Sequence, residues 1–154
     1  MERGKFISFE GIDCCGKTTQ IRKLESYLKS RNADYISVKD PGTTSLGTAL
    51  RAILKYPSDA YRVLNSYFHY FKPAEFDIMH INQKRTPEAE IFLFMASRTE
   101  FVRKVIKPSL EQGINVITDR YADSTVAYQG GGRFKSNPSI INFIDIMNEF
   151  AVDG

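Results

Sequence analysis

Apolar and polar positions change period several times along this 154-residue chain, and the changes mark out alternating strands and helices. Lys5-Phe6-Ile7-Ser8-Phe9-Glu10 is short, β-branched and aromatic and stops at Gly11, the pattern of a buried strand running into a loop. From Thr18 to about Arg31 the apolar residues Ile21, Leu24 and Leu28 recur at i, i+3 and i+7, which predicts an amphipathic helix. A second strand is predicted at Tyr35-Ile36-Ser37-Val38, ended by the turn residues Asp40-Pro41-Gly42. Leu46, Leu50, Ile53 and Leu54 then mark a short helix that stops before Pro57.

Residues 56–85 are aromatic-rich, and Tyr61, Leu64, Phe68 and Phe71 keep helical spacing, which reads first as packing or subunit contact and second as base stacking. Thr86-Pro87-Glu88 has the form of an N-cap, a proline at the first helical position and an acid in the first turn. The helix it opens carries Ile91, Met95, Val102 and Ile106 as a core stripe, while Phe94 and Arg98 share another face at i, i+4. Ile114-Asn115-Val116-Ile117-Thr118-Asp119 is the third strand, and a last helix runs from Ser139 to Phe150 with Ile140, Phe143, Ile144 and Met147. This alternation predicts an α/β protein, a parallel sheet flanked by helices in three layers and joined by right-handed crossovers, in one domain over residues 1–154. Three strands make a narrow sheet, and a further strand is expected after the last helix to cover its apolar face, so a truncated or natively short chain is expected.

Composition narrows the partners. With 42% hydrophobic and 25% charged residues the chain is ordinary for a globular domain with a single core. A net charge of +3, from 21 basic against 18 acidic residues, is too mild and dispersed for a nucleic-acid-coating surface. Without an apolar run near ~18 residues, neither signal peptide nor membrane span is expected, which points to the cytoplasm. Cys14 and Cys15 are neighbours, with Cα atoms about 3.8 Å apart. That is below the usual disulfide window of about 4.4–6.8 Å, so no structural bridge is expected. Only His69 and His80 accompany them, so zinc-type spacing is absent and these four residues read as loop, core or surface fillers.

Gly11-Ile12-Asp13-Cys14-Cys15-Gly16-Lys17-Thr18 fits G-x-x-x-x-G-K-[ST], and it lies between a strand and a helix as a P-loop must. Chance would produce such a string in roughly 0.5% of chains this long, before that context is counted. Glycines let backbone N–H groups turn toward phosphates, the helix N-terminus adds about half a positive charge, and Lys17 supplies a mobile ammonium for the β- and γ-phosphates. Thr18 offers a hydroxyl to the Mg²⁺ that accompanies the nucleotide. The plain alternative, a glycine turn with Lys17 as a solvated first-turn residue, puts a cation where the helix dipole repels it. The loop implies a triphosphate and leaves GTPase, motor and kinase open.

Further motifs follow in order: Phe9-Glu10-Gly11-Ile12-Asp13 running into Gly16-Lys17-Thr18-Thr19, then Asp40-Pro41-Gly42-Thr43-Thr44, then Phe94-Met95-Ala96-Ser97-Arg98, and finally Asp119-Arg120-Tyr121 through Ser124-Thr125 to Ala127-Tyr128-Gln129-Gly130-Gly131-Gly132-Arg133. Together they resemble the thymidylate kinase family, particularly its bacterial members, over nearly the whole chain except about residues 57–85. The resemblance implies the P-loop NTPase fold and ATP-dependent phosphorylation of dTMP to dTDP, with Mg²⁺. It implies dTMP as the small-molecule partner, no nucleic acid or membrane, and a homodimer, since relatives are typically dimers. Gly11, Asp13, Cys14, Cys15, Gly16, Lys17, Thr18 and Thr19 would form the ATP seat, with Thr18 and Asp119 near the metal.

Lys17, Arg120 and Asp119 would be the catalytic residues, Arg120 gripping the acceptor phosphate with a planar fork. Asp13 resembles the carboxylate that accepts the deoxyribose 3′-hydroxyl, although it could instead bond loop amides. Phe94 resembles the residue that stacks on thymine and Arg98 the one that meets the base edge; the alternative is Phe94 as core and Arg98 as a surface charge. Pro41, Ser124 and Thr125 fall among the acceptor-binding positions, and Tyr128 resembles the side chain that leaves no room for a 2′-hydroxyl. Two departures stand out. Cys14 occupies a position where eukaryote-like members carry an arginine, which likens the chain to the class whose catalytic arginine comes from a lid, expected beyond Gly154. Lys39-Asp40-Pro41-Gly42-Thr43 stands where bacterial relatives often show Arg-Glu-Pro-Gly-Gly. The competing readings are another nucleoside or nucleotide kinase, and a P-loop nucleotide-binding module with no phosphoryl acceptor.

Overall fold

A computed structural model describes residues 2–55 and 85–152 of the chain. The aromatic run from Tyr61 to Phe76, with His69 and His80, lies outside the described residues. Three strands, β1 (Phe6–Phe9), β2 (Tyr35–Lys39) and β3 (Asn115–Asp119), form one parallel sheet in the order β1-β3-β2. β3 is central because it is the one strand fit for burial on both faces: Val116, Ile117 and Thr118 are all buried. The Thr118 hydroxyl is reconciled with that burial by donating to the Arg120 carbonyl at 3.0 Å. Register places Phe9 and Lys39 both opposite Asp119, so the carboxyl ends of all three strands finish at one level.

Helices alternate with the strands. α1 (Lys17–Ser30) follows β1 and α2 (Ser45–Lys55) follows β2. α3 (Pro87–Phe101) starts as its sequence demands: the Thr86 side chain accepts from the Ala89 N–H, Pro87 occupies the first turn, and Glu88 and Glu90 face the positive end of the dipole. The continuous helix expected through Ile106 is instead interrupted by a π-helical turn, Val102–Ile106, before α4 (Lys107–Glu111). Pro108 explains the place, since it has no N–H to return to the carbonyl one turn back. The expected stripe survives the interruption: Ile91, Met95, Val102 and Ile106 are all buried, with Phe101 and Leu110 added.

After β3 the chain forms α5 (Ala122–Thr125), a π-helical segment Val126–Arg133, and α6 (Pro138–Val152). Gly130-Gly131-Gly132 disguises the π-helical segment in the sequence, because glycine disfavours helix by about 1 kcal/mol each. Ile144 and Ala151 of α6 pack with Ile91 and Met95 of α3, whereas Phe143 turns outward and meets the exposed Phe92 ring edge-on at 6.1 Å. Among the described residues no helix is long and apolar enough to cross a membrane.

Truncating the central strand is expected to be expensive. Ile117→Ala, at a fully buried position, should lower unfolding free energy by about 2–5 kcal/mol, whereas the exposed Ser37→Ala should stay within about 0.5 kcal/mol. Urea midpoints of the two variants check this, and equal shifts would contradict the placement of β3.

Candidate active site

The loop between β1 and α1 is shaped for an anion. Gly11 at φ 141 and Gly16 at φ 95 adopt backbone that side chains avoid, and Cys14 shares the left-handed region at φ 64. Gly16 caps α1 with no side-chain hydrogen bond, and the first turn of α1 has no acid. Its amides and the positive end of its dipole are therefore uncompensated, in contrast to the capped and acidic start of α3. Lys17 folds over this loop, donating from Nζ to the carbonyls of Gly11 at 3.0 Å and Ile12 at 2.7 Å. Carbonyl dipoles, not a carboxylate, hold the ammonium, which leaves its charge available to a phosphate.

A second cation faces the loop from the end of β3. Arg120 sits in the left-handed region at φ 73, a strained conformation for a residue with a side chain. It is held there by its N–H donating to the Phe9 carbonyl at 3.0 Å and by the Thr118 hydroxyl on its own carbonyl. The guanidinium donates to Asp13 Oδ1 at 2.6 Å and Ser124 Oγ at 3.3 Å and lies 5.0 Å over the Tyr128 ring. Ser124 in turn donates to Glu10 Oε2. Burial works against the Arg120 charge, but Asp13 and Tyr128 outweigh it and hold the group above its ordinary value. The Arg120 hydrogen bond and charge conversely hold the exposed Asp13 carboxyl below 3.8.

Asp119 ends β3 with its Oδ1 buried and without a hydrogen-bond partner. An unpartnered carboxylate oxygen on a residue that lines the same cavity as Thr18 suits a hard divalent cation that takes one or two protein oxygens and completes its shell with phosphate and water. Among the described residues no three His, Cys, Asp or Glu side chains cluster so as to hold a metal ion.

Arg98 lines the cavity but is buried. It is only 1% exposed, so it is not a surface charge. Its Nε donates to Asp40 Oδ2 at 2.8 Å, Nη1 to Asn148 Oδ1 at 2.6 Å, and Nη2 to the Tyr121 carbonyl at 3.1 Å and Thr125 Oγ1 at 2.9 Å. Four of the five guanidinium N–H groups are thereby engaged, and the fifth, on Nη1, has no partner among these bonds. The group lies 5.4 Å over the Tyr121 ring, whose hydroxyl is pushed up to about 12 by burial and stays protonated. Asp40, read from sequence as a turn residue, is buried and also receives the Ser97 hydroxyl at 3.4 Å.

Both cations open on one cavity of about 600 Å³. Of the residues singled out from sequence, Asp13, Cys14, Gly16, Lys17, Thr18, Thr19, Pro41, Phe94, Arg98, Asp119, Arg120, Ser124, Thr125 and Tyr128 line it; Gly11 and Cys15 do not. Sequence reasoning missed Lys39, Asp40, Arg51, Lys55, Arg85 and Gln129 on the same wall. Arg51 and Lys55, one turn apart on α2, carried a readable signal as a basic helix face. Arg51 donates to the Pro41 carbonyl at 2.9 Å, and Arg85 closes the C-terminus of α2 through the carbonyls of Ile53 and Leu54, each at 2.6 Å.

A nucleotide-binding loop before the first helix and an open parallel sheet define a P-loop α/β protein. The thymidylate kinase family model matches residues 9–75 and 77–144. A thymidylate kinase of Fervidobacterium nodosum is 40% identical over 148 residues, 96% of this chain and 60% of that protein. One of Bifidobacterium longum is 42% identical over 130 residues, 84% of this chain and 53% of the relative. The crystal structure of thymidylate kinase from Ehrlichia chaffeensis superposes with a TM-score of 0.71 at 33% identity, covering 99% of this chain and 70% of the other. The chain belongs to the thymidylate kinase family, and it spans between 53% and 60% of the length of those two curated relatives.

Removing one partner of the buried Arg98–Asp40 pair strands a charge in the interior, so Asp40→Ala should destabilise the fold by about 3–5 kcal/mol in urea unfolding. Asp13→Asn should behave differently. Because the folded Asp13 carboxyl lies below 3.8, its pairing with Arg120 contributes above that pH and is lost as pH falls through the lower folded value. Urea midpoints of the native chain and Asp13→Asn should therefore differ by a constant amount near neutrality and converge well below pH 3.8; a gap that widens on acidification would contradict the pairing.

Proposed function

We propose that this chain carries the centre that transfers the γ-phosphoryl group of ATP to dTMP, giving dTDP, in the cytoplasm. The observation that carries the reading is the pair of facing anion seats on one cavity, Lys17 with the uncapped α1 on one side and Arg120 on the other. A single seat would serve a nucleotide switch; two opposed seats serve a donor and an acceptor phosphate. One domain holding both completes this reading. A homodimer belongs to it on the family resemblance alone.

The roles follow from chemistry. The loop from Gly11 to Thr19, including Cys14, Cys15 and Gly16, wraps the ATP phosphates with backbone N–H groups, and Lys17 leaves its carbonyls to follow the charge onto the transferring group. Arg120 grips the dTMP phosphate, and Tyr128 and Ser124 keep its fork extended. Asp13 uses one oxygen to hold Arg120, leaving the other for the sugar 3′-hydroxyl. Phe94, half-buried on the cavity wall, supplies a face for thymine, and Pro41 bounds the acceptor side. Arg98 meets a base carbonyl with its one remaining N–H while Thr125, already accepting from Arg98, turns its hydroxyl proton to the base. Tyr128 crowds the sugar and disfavours a 2′-hydroxyl.

Thr18 and Asp119 would hold Mg²⁺, which when bound neutralises charge on the donor phosphates. Transfer passes through a loose transition state, so these side chains act by positioning and by spreading positive charge around the equatorial oxygens.

Calorimetric titration tests the reading. dTMP should bind in preference to dUMP, dCMP and thymidine, and Lys17→Ala should abolish binding of a non-hydrolysable ATP analogue. Arg120→Ala, losing hydrogen bonds to a charged group, should weaken dTMP by about 10- to 100-fold and leave the ATP analogue nearly unaffected. Equal affinity for dTMP and unphosphorylated thymidine would defeat the acceptor assignment.

A further inference from the structure

The transfer chemistry makes no use of the thiols in the phosphate loop. Both cysteines are free and exposed. The Cys15 sulfur lies 3.8 Å from the Lys17 ammonium. It also sits against the first glycine of the loop, where a Cβ built on Gly11 would meet it at 2.7 Å. Exchange-active cysteines occupy partly exposed, electropositive surroundings, and here the ammonium is joined by the uncompensated N-terminus of α1. Cys14 instead lines the cavity.

We propose that Cys15 is a site of thiol–disulfide exchange with an anionic low-molecular-weight disulfide, and that the mixed disulfide so formed occupies the phosphate seat. The field that draws ATP to this loop draws a carboxylate-bearing disulfide for the same reason. The Cys15 sulfur attacks one sulfur of the small disulfide as its own proton leaves, and a new S–S bond forms as the old one breaks. The departing small thiolate takes up a proton and leaves as a thiol. No other oxidant enters, because the small disulfide is itself reduced. The appended carboxylates then pair with Lys17 and the loop amides, which are no longer open to phosphate, until a reducing thiol reverses the exchange.

Glutathione disulfide, with two carboxylates on each half, serves as the probe, and cystamine, which is cationic, as its counterpart. Incubation of the full chain with glutathione disulfide should add one glutathionyl group by intact mass, located on Cys15 by peptide mapping, formed in Cys14→Ser and absent from Cys15→Ser. ATP should slow the reaction, raised salt should slow it, and cystamine should react more slowly relative to its rate with a free peptide thiol. Binding of a fluorescent ATP analogue should be lost with the adduct and return on reduction. An adduct confined to Cys14, an internal Cys14–Cys15 bridge, no reaction until the chain is unfolded, or an adduct that leaves nucleotide binding unchanged would each overturn the proposal. Occlusion rests on the loop being a nucleotide seat, whereas adduct formation does not. An untreated chain that binds no ATP analogue sinks the kinase reading, and mass and mapping still decide the exchange site by themselves.

Discussion

Parallel pairing at one level governs everything at the site. Because Phe9 and Lys39 both align with Asp119, the segments that leave the three strands emerge from one edge of the sheet and must share one space. The phosphate loop, the Asp40-Pro41 turn and the Arg120 segment are those three departures. In an open parallel sheet this edge is where ligands settle. A slip of β3 by one residue would turn Asp119 to the opposite face and carry Arg120 away from Asp13, so register and chemistry are a single constraint.

The buried Arg98 is what keeps these departures from drifting apart. It belongs to α3, and its partners come from the end of β2, from the Tyr121 and Thr125 segment after β3, and from α6. A lone buried guanidinium would be prohibitive, and a half-satisfied one worse than an apolar residue. Here four N–H groups find oxygens, and the aromatic face of Tyr121 covers the plane. The network ties elements together: wherever α3 moves, this wall of the cavity must move with it. That arrangement also limits what Arg98 can offer a ligand, since only one N–H is left.

Much of this could be read from the residues, and the failures share one cause. The phosphate loop, the strand ends and the Thr86 cap are local signals, in which neighbours in sequence make the structure and their spacing is visible. Asp40 and Arg98 are 58 positions apart, so nothing in either stretch announces the pair. Asp40 next to Pro41 read simply as a turn, which it also is. The π-helical segment after Thr125 was hidden for a different reason, because three glycines suppress helical propensity. Close approach of Gly130 to Ile141 and Ile144, and a hydrogen bond from the Ser136 N–H to the Gly130 carbonyl at 3.0 Å, are contacts from outside the glycine run itself. Arg51 and Lys55 went unnoticed although their spacing was legible, because a basic helix face is ordinarily just a solvated one.

Charge explains how the cavity tolerates so many cations and why Asp13 pairs with Arg120. The wall carries Lys17, Lys39, Arg51, Lys55, Arg85, Arg98 and Arg120 against Asp13, Asp40, Glu90 and Asp119, a positive excess focused by low-dielectric walls. Such an excess repels itself. Two devices relieve it: Lys17 retreats onto the loop carbonyls, and Asp13 neutralises Arg120. Both are reversible at low expense, because carbonyl dipoles bind an ammonium more weakly than a phosphate does and because Asp13 is exposed, where an ion pair contributes little. The deeper pair, Arg98 with Asp40, has no such freedom. The cavity thus separates Lys17 and Arg120, whose contacts can be redirected to a ligand, from Arg98, which holds the wall, and burial is the variable that divides them.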